Sequence, residues 1–528
     1  MVTRWFSVVF GFAVSALSLG AQEAASLVPK PYRAQLEQHG HVREMSLRDA
    51  IATALQCNLE IEIEGYNHEA ARANTTNASA YYDPVLGLNT SAISTNVPVT
   101  NILQTGEFAS QITKTWSVSP SIQQNLPGGG TAILTTNLNR VSTNSDYSLI
   151  NPVLGSTFGL TITQPLLRGF LRTGAERQIA INQLNERITV SQFQQKAAAV
   201  VEQVINNYWR LAATLENYEA QRQGYAVAAA EYEESRKKNG DGPQAAVSSQ
   251  RSELLSRDQI LAQAAVQIIQ ASNGLKRLLA PSVADPLWAD GIVATDTPDV
   301  KPLSITLEEA VHAAMSKRPE LEQLRLQIKQ SDADVRFNRQ ETKPTVNLRL
   351  ETLATGDTGP IRDIPPGTIP PASITGGIGA ATRQALAFQH PSFAAGVEIK
   401  MPVRNGAAQS QLTNALIGGH KLQAQLRAAE QDILVDVRNA WESIEAQRRT
   451  VDSTQLARRL AEEHLTAETA KPASDSQNLD VLRSRKDLEE ARTRELQAQI
   501  DYQLAVVSLE RAMSTLLDDQ QVVFPARK

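Results

Sequence analysis

Met45-Ser-Leu-Arg-Asp-Ala-Ile-Ala-Thr-Ala54 and Ile305-Thr-Leu-Glu-Glu-Ala-Val-His-Ala-Ala314 are one pattern written twice, at a shift of 260 positions (305 − 45). The likeness continues without a gap, laying Met45–Thr90 on Ile305–Leu350. Leu47, Ala50, Ala54, Glu60, Glu62, Ala73, Pro84 and Leu88 recur as Leu307, Ala310, Ala314, Glu320, Glu322, Ala333, Pro344 and Leu348. Both copies open with a hydroxyl residue and an acid three positions on, Ser46 with Asp49 and Thr306 with Glu309. That is a capping-box start for a helix. Both then keep helical periodicity for about 35 residues, meet a proline and change to period-two alternation. A repeat of this kind is read before any single motif and implies a duplicated unit of roughly 240 residues.

The bounds of the chain agree with two similar halves. Its 528 residues carry a formal charge of −5 with acids and bases interspersed. No basic stripe of the kind nucleic acid requires is present, so a nucleic-acid partner is not expected. Aromatics make up only 5%. Scarce aromatics and plentiful Ala and Gln suit long helices with thin seams. Met1-Val-Thr-Arg4, an apolar run over 5–19 and Gly20-Ala21 read as a signal peptide over residues 1–21. The run is shorter than the ~20 residues a membrane anchor needs. The sole cysteine, Cys57, excludes an internal disulfide framework and is expected to be a buried apolar residue. No later segment is apolar enough for a transmembrane helix. Membrane insertion would therefore require a closed β-barrel.

Residues 22–44 read as an extended arm, and residues 46–80 as the first helix. Alternation follows. Leu86, Leu88, Thr90 and Ala92 share one face. Trp116, Val118 and Ile122 alternate with Ser117, Ser119 and Ser121. Leu134, Thr136 and Leu138 follow the turn Leu126-Pro-Gly-Gly-Gly130, and Phe158, Leu160 and Ile162 alternate with Gly159, Thr161 and Thr163. Each run is about ten residues, the length of a tilted strand crossing a bilayer. Long polar connections at 95–113 and 143–155 and a short one at 126–130 suit a transmembrane meander. A soluble β-domain between helices is the alternative, and Pro120 counts against a central strand.

Val201, Val204, Tyr208, Leu211, Leu215 and Tyr218 are spaced as a coiled-coil seam within a helix over about 172–238. Asn239-Gly-Asp-Gly-Pro243 breaks it, and a second helix runs over about 244–280. The first repeat is placed at 45–284, a linker at 285–304, the second repeat at 305–518 and a tail at 519–528. The second repeat has a helix over 306–341 and a strand with Val346, Leu348 and Leu350 on one face. A loop of roughly 40 residues leads to a return strand over 393–401. That strand sets Phe393, Ala395, Val397 and Ile399 against Glu398 and Lys400. Two long helices close the repeat. Their seams are Leu434, Val437, Trp441, Ile444 and Tyr502, Ala505, Leu509, Ala512, Leu516, with a turn at Lys471-Pro-Ala-Ser474.

The segments Thr163-Gln-Pro-Leu-Leu-Arg-Gly169, Gly240-Asp-Gly-Pro-Gln-Ala-Ala-Val247, Gln250-Arg-Ser-Glu-Leu254, Leu479-Asp-Val-Leu482 and Arg485-Lys-Asp-Leu488, in this order, resemble the TolC family of outer-membrane efflux proteins. The resemblance spans nearly all of the chain beyond residue 44. It implies a mainly α chain with a transmembrane β-barrel portion, three copies sharing one outer-membrane barrel and one periplasmic α-helical tube. It further implies an exit duct for an inner-membrane pump of RND or ABC type, joined by a periplasmic adaptor. The family's strand count is four per chain, whereas this sequence allows four or six.

A conduit needs no catalytic group, cofactor or metal, and none is read here. The sequence has no Gly-x-Ser-x-Gly elbow and no His-Glu-x-x-His, and the turn Leu126-Pro-Gly-Gly-Gly130 lacks the Lys of a phosphate loop. A structural or adhesive coiled-coil surface protein is the alternative function. The resemblance points to adaptor contact at the hairpin tips, Gly240, Asp241, Gly242 and Pro243 in one and Lys471, Pro472 and Ser474 in the other. It also places Asp480 at a candidate entrance ring. Two departures qualify that carry-over: Arg483 stands where the family has a second acid, and Ala246 where the first hairpin has one.

Overall fold

The computed structural model describes Tyr32, Ala34 and residues 41–100, 108–171, 173–239, 245–362, 374–471 and 475–520. The chain divides into two compact units. One comprises Met1–Gln56, Gln203–Pro302 and Ser443–Val506, the other Cys57–Glu202, Leu303–Glu442 and Val507–Lys528. The signal peptide lies outside the described residues.

The constant offset between the two copies holds for a helix and a strand of each. Helix α1 (Leu47–Cys57) and helix α5 (Leu307–Lys317) are offset by 260 at both ends (307 − 47, 317 − 57). The same offset relates strand β2 (Val85–Pro98) to strand β7 (Thr345–Thr358) (345 − 85, 358 − 98). Thr306 forms the complete capping box with Glu309. In the first copy the Asp49 N–H donates to the Ser46 hydroxyl at 3.2 Å, and that hydroxyl donates to the Asp49 carboxylate at 2.7 Å.

The single helix expected in each copy is in fact two. Helix α2 (Leu59–Ser79) follows α1, and helix α6 (Pro319–Glu341) follows α5. In the first copy Asn58 caps α2, its side chain accepting the N–H of Glu60 at 2.9 Å. In the second, Pro319 opens α6 and steers Arg318 to an extended ψ of 121°. Buried positions continue across both breaks, from Ala54 to Ile61 and from Ala314 to Leu321, so periodicity alone conceals them. Cys57, expected to be buried, is half-exposed at the end of α1.

The second unit holds a six-stranded antiparallel sheet in the order β2-β3-β4-β5-β7-β8, with β3 Ser110–Asn125, β4 Thr131–Thr143, β5 Val153–Pro165 and β8 Pro391–Lys400. The open choice between four and six strands is thus six. The first five in chain order are longer than the expected ten residues, so β2 and β3 take in part of the 95–113 connection. Pro120 does sit in a central strand, contrary to expectation. The β3–β4 register passes from Val118↔Leu138 to Ser121↔Thr135, leaving the prolyl nitrogen without a ladder bond to make. The Ser119 hydroxyl bridges the gap by donating to the Asn137 side chain at 3.1 Å. The loop expected before the return strand also contains helix α7 (Ile378–Leu386).

The first unit takes in residues 203–302 and 443–506, and so parts of the long helices, the rest of which belong to the second unit. Helices α3 (Gly174–Asn239) and α4 (Ala245–Leu279) have the expected bounds to within a few residues, and α8 (Gly406–Thr469) and α9 (Asp475–Met513) lie on either side of the expected turn. Their seams are buried at Val204, Tyr208, Leu211, Tyr218, Val437, Ile444, Tyr502 and Leu509. The end of the expected arm and the expected linker meet here. Strand β1 (Val42–Met45) pairs in parallel with strand β6 (Gly291–Ala294). Tyr208 fastens this pair to α3. Its hydroxyl accepts the N–H groups of Thr295 and Asp296, both at 3.1 Å. Its proton faces the Asp296 carboxylate at 2.8 Å and the Met45 carbonyl at 3.0 Å. The same Asp296 oxygen accepts the first N–H of α1, from Leu47, at 2.6 Å. Burial is the main reason the Tyr208 hydroxyl is pushed above its ordinary pKa.

Tyr208→Phe removes the hydroxyl's hydrogen bonds to Met45, Thr295 and Asp296 and is expected to cost about 1–3 kcal/mol. Thermal unfolding of the purified protein checks this, and an unchanged midpoint would count against the Tyr208 tie.

Candidate functional site

Alternation in the sheet places side chains on two chemically different faces. Cross-strand partners share a face, so the register Leu88↔Pro120, Thr90↔Val118, Val118↔Leu138, Leu134↔Leu160, Ile162↔Leu350 and Leu348↔Val397 traces one apolar surface across all six strands. That surface is uncovered over most of its extent: Leu86 is 77% exposed, Trp116 66% and Phe393 78%. A water-soluble sheet buries its apolar face, so this one is inverted. The opposite face carries Asn89, Ser117, Ser119, Asn137, Thr161 and the charged group Arg349, Glu351, Glu398 and Lys400. These charges pair among themselves, Arg349 with Glu351 at 3.1 Å and Lys400 with Glu398 at 2.5 Å, while Asn347 donates to Glu398 at 3.3 Å. The two ends of the sheet order, β2 and β8, each have one unpaired edge in the chain.

Helix α7 folds back on the apolar face. A Cβ at Gly356 would come within 2.2 Å of the Ala381 carbonyl, so glycine is what admits the helix against β7. Ala381, Gln384 and Ala385 are buried beneath it with Ala354, Thr358 and Ser156. The Thr358 hydroxyl donates to the Gly377 carbonyl at 3.0 Å, and Phe158 meets Phe388 edge-to-face at 6.2 Å. The Gly- and Pro-rich composition of this loop gave no signal of a helix.

Of the hairpin-tip residues, Gly240, Asp241, Gly242, Pro243, Pro472 and Ser474 lie outside the described residues. Lys471 is described, and it pairs with Glu468 at 2.5 Å. Asp480 and Arg483 are both exposed on α9, 3.6 Å apart. Arg483 also reaches α3, donating to Glu231 at 3.1 Å. Glu231 was not singled out from the sequence, since an acid on a long amphipathic helix is ordinary there. The signal that points to it is the base at position 483 where an acid was expected. Together the three groups carry one net negative charge per chain.

No family model and no curated protein sequence matches the chain. Solved structures do. The Campylobacter jejuni CmeC outer membrane channel aligns with a TM-score of 0.60 at 13% identity, over 95% of this chain and 91% of that one. The open-state Neisseria gonorrhoeae MtrE outer membrane channel gives 0.56 at 15%, over 89% of each. The Vibrio cholerae outer membrane protein VceC gives 0.56 at 16%, over 92% of this chain and 97% of that one. The likeness covers sheet, short helices and long hairpins alike, and on it the chain has the fold of the TolC-like outer-membrane channels.

Proposed function

We propose that the chain is one subunit of a trimeric outer-membrane channel, the exit duct of an export machine with its pump in the inner membrane and its adaptor in the periplasm. The inverted sheet carries this reading. Apolar side chains on the outside suit lipid, and a polar, charged inner face suits a wet lumen. Lipid also forbids open strand edges, because their N–H and C=O groups would have no partner. Six antiparallel strands leave β2 and β8 running in opposite senses. The β8 edge of one copy therefore fits the β2 edge of the next as another antiparallel pair. Three copies of the six-stranded sheet would close at eighteen strands (3 × 6), a size that leaves an aqueous channel. The long helices would then form a periplasmic tube, with its hairpin tips toward the adaptor. The work is passive conduction, without a catalytic step. The choice of cargo belongs to the pump, of RND or ABC type.

Leu160 and Val397 lie on the apolar face of β5 and β8. Leu160→Arg and Val397→Arg should each cost roughly 2–4 kcal/mol near the bilayer midplane and lower the yield of assembled oligomer in membranes. Glu398→Gln, on the inner face, should assemble normally. Wild-type assembly of both arginine variants would refute the barrel.

Cysteines at Asp241 and Ser474 should crosslink to the adaptor in cells. Labelling of those cysteines by extracellular reagents alone would invert the proposed topology.

Threefold symmetry would turn Asp480 into a ring, with Arg483 shared between Asp480 and Glu231. Carboxylates around a narrow pore attract cations. Asp480→Asn should lower the cation selectivity of single channels at neutral pH and weaken block by multivalent cations. Selectivity unchanged in an assembled channel removes the ring.

A further inference from the structure

The outward positions of the sheet hold only two charged side chains, Lys114 and Arg140, and both are basic. No acid occupies an outward position of any of the six strands. The two bases are neighbours. Arg140 lies directly opposite Trp116, and Lys114 lies two residues from Trp116 on the same face. Such a diagonal pair is about 7–8 Å apart along the sheet. Both are exposed, and neither has an ion-pair partner among the described residues. Trp116 between them is exposed as well.

Their position along the strands is also defined. The Leu126–Gly130 turn of β3 and β4 lies beside the start of α3, where the Leu171 N–H donates to the Gly128 carbonyl at 3.3 Å. Lys114 and Arg140 are near the opposite ends of the same strands. Following the register from Arg140 through Leu154 leads to Thr358, where α7 is anchored on the same face. Helix α7 adds exposed Arg383 and exposed apolar Ile378 and Leu386 at this end. Aromatic, basic and apolar groups at one end of a lipid-facing sheet match the boundary between acyl chains and headgroups.

We propose that Lys114 and Arg140, flanking Trp116, form a docking site for the phosphate-bearing headgroup of an outer-leaflet lipid. The inference rests on the barrel reading above and adds to it a lipid of defined chemistry. Trp116 lies against the lipid's apolar body while the two cations meet its phosphates. The absence of any outward acid removes competition for them.

The test uses the full-length protein in detergent and in phosphatidylcholine bilayers, with bisphosphorylated lipid A, dephosphorylated lipid A and inorganic phosphate as separate probes. Native mass spectrometry reads bound lipid. The wild type should prefer bisphosphorylated over dephosphorylated lipid A and leave inorganic phosphate unbound. Lys114→Gln with Arg140→Gln should weaken bisphosphorylated lipid A roughly fivefold per charge, on the order of 25-fold in all, with dephosphorylated lipid A unaffected. Arg349→Gln, on the inner face, serves as the charge control and should change neither. Equal binding of the two lipid A forms, binding of inorganic phosphate alone, or no effect of the double variant would overturn the site while leaving the barrel intact. Failure of the wild type to insert into bilayers at all would overturn both.

Discussion

A strand sends successive side chains to opposite sides, and in this sheet all six strands keep the same parity. That constraint makes the apolar surface continuous. Leu88, Val118, Leu138, Leu160, Leu350 and Val397 belong to different strands and to both repeats, yet lie on one side. A slip of one residue in any pair would turn a strand's apolar set inward and its polar set out. The inner charges could not tolerate that slip. Arg349 pairs with Glu351 along β7 and Lys400 with Glu398 along β8, while Asn347 reaches across to Glu398, and a slip would turn all of them to the apolar side. Parity, hydrophobic pattern and the Asn347–Glu398 bond thus fix the same register.

The first unit depends on a different kind of bond. Burial of Tyr208 in the α3 seam would be costly if its hydroxyl were unpaired. The hydroxyl instead joins β1, β6 and, through Asp296, the start of α1. Residues distant in sequence are held there by polar groups gathered around one buried tyrosine. Tyr502 acts similarly on the segment before the second repeat, donating to the Lys301 carbonyl at 2.6 Å.

Element type and order were legible in the sequence because the repeat supplies two readings of each. The offset between copies even predicts the ends of β7 from those of β2. Helix breaks were less legible, since the cap at Asn58 and the proline at 319 act on the backbone and leave the apolar face in phase. The Tyr208 tie was hidden because Tyr208 satisfies the seam pattern whatever its hydroxyl does. Helix α7 was hidden by glycines. Gly356, which reads as a weak strand residue, is there to let a helix approach. The outward bases were written plainly at 114 and 140, but their adjacency depends on a register that only the paired strands define. The candidate entrance was partly legible: Asp480 and Arg483 could be named, while Glu231 required the proximity of α3 and α9.

The β3–β4 hairpin has no counterpart in the second repeat, where α7 occupies the corresponding connection between β7 and β8. Strands added as a hairpin come in twos, so β2 and β5 would still be antiparallel neighbours without it. The sense of the sheet's two outer edges is therefore indifferent to the insertion. Its width is not: six strands span five spacings of about 4.8 Å, whereas four would span three. A hairpin is thus a modular way to change the width of such a sheet in discrete steps. Each step would change the width of the sheet while leaving the sense of its outer edges and the helices to either side of the hairpin in their original directions.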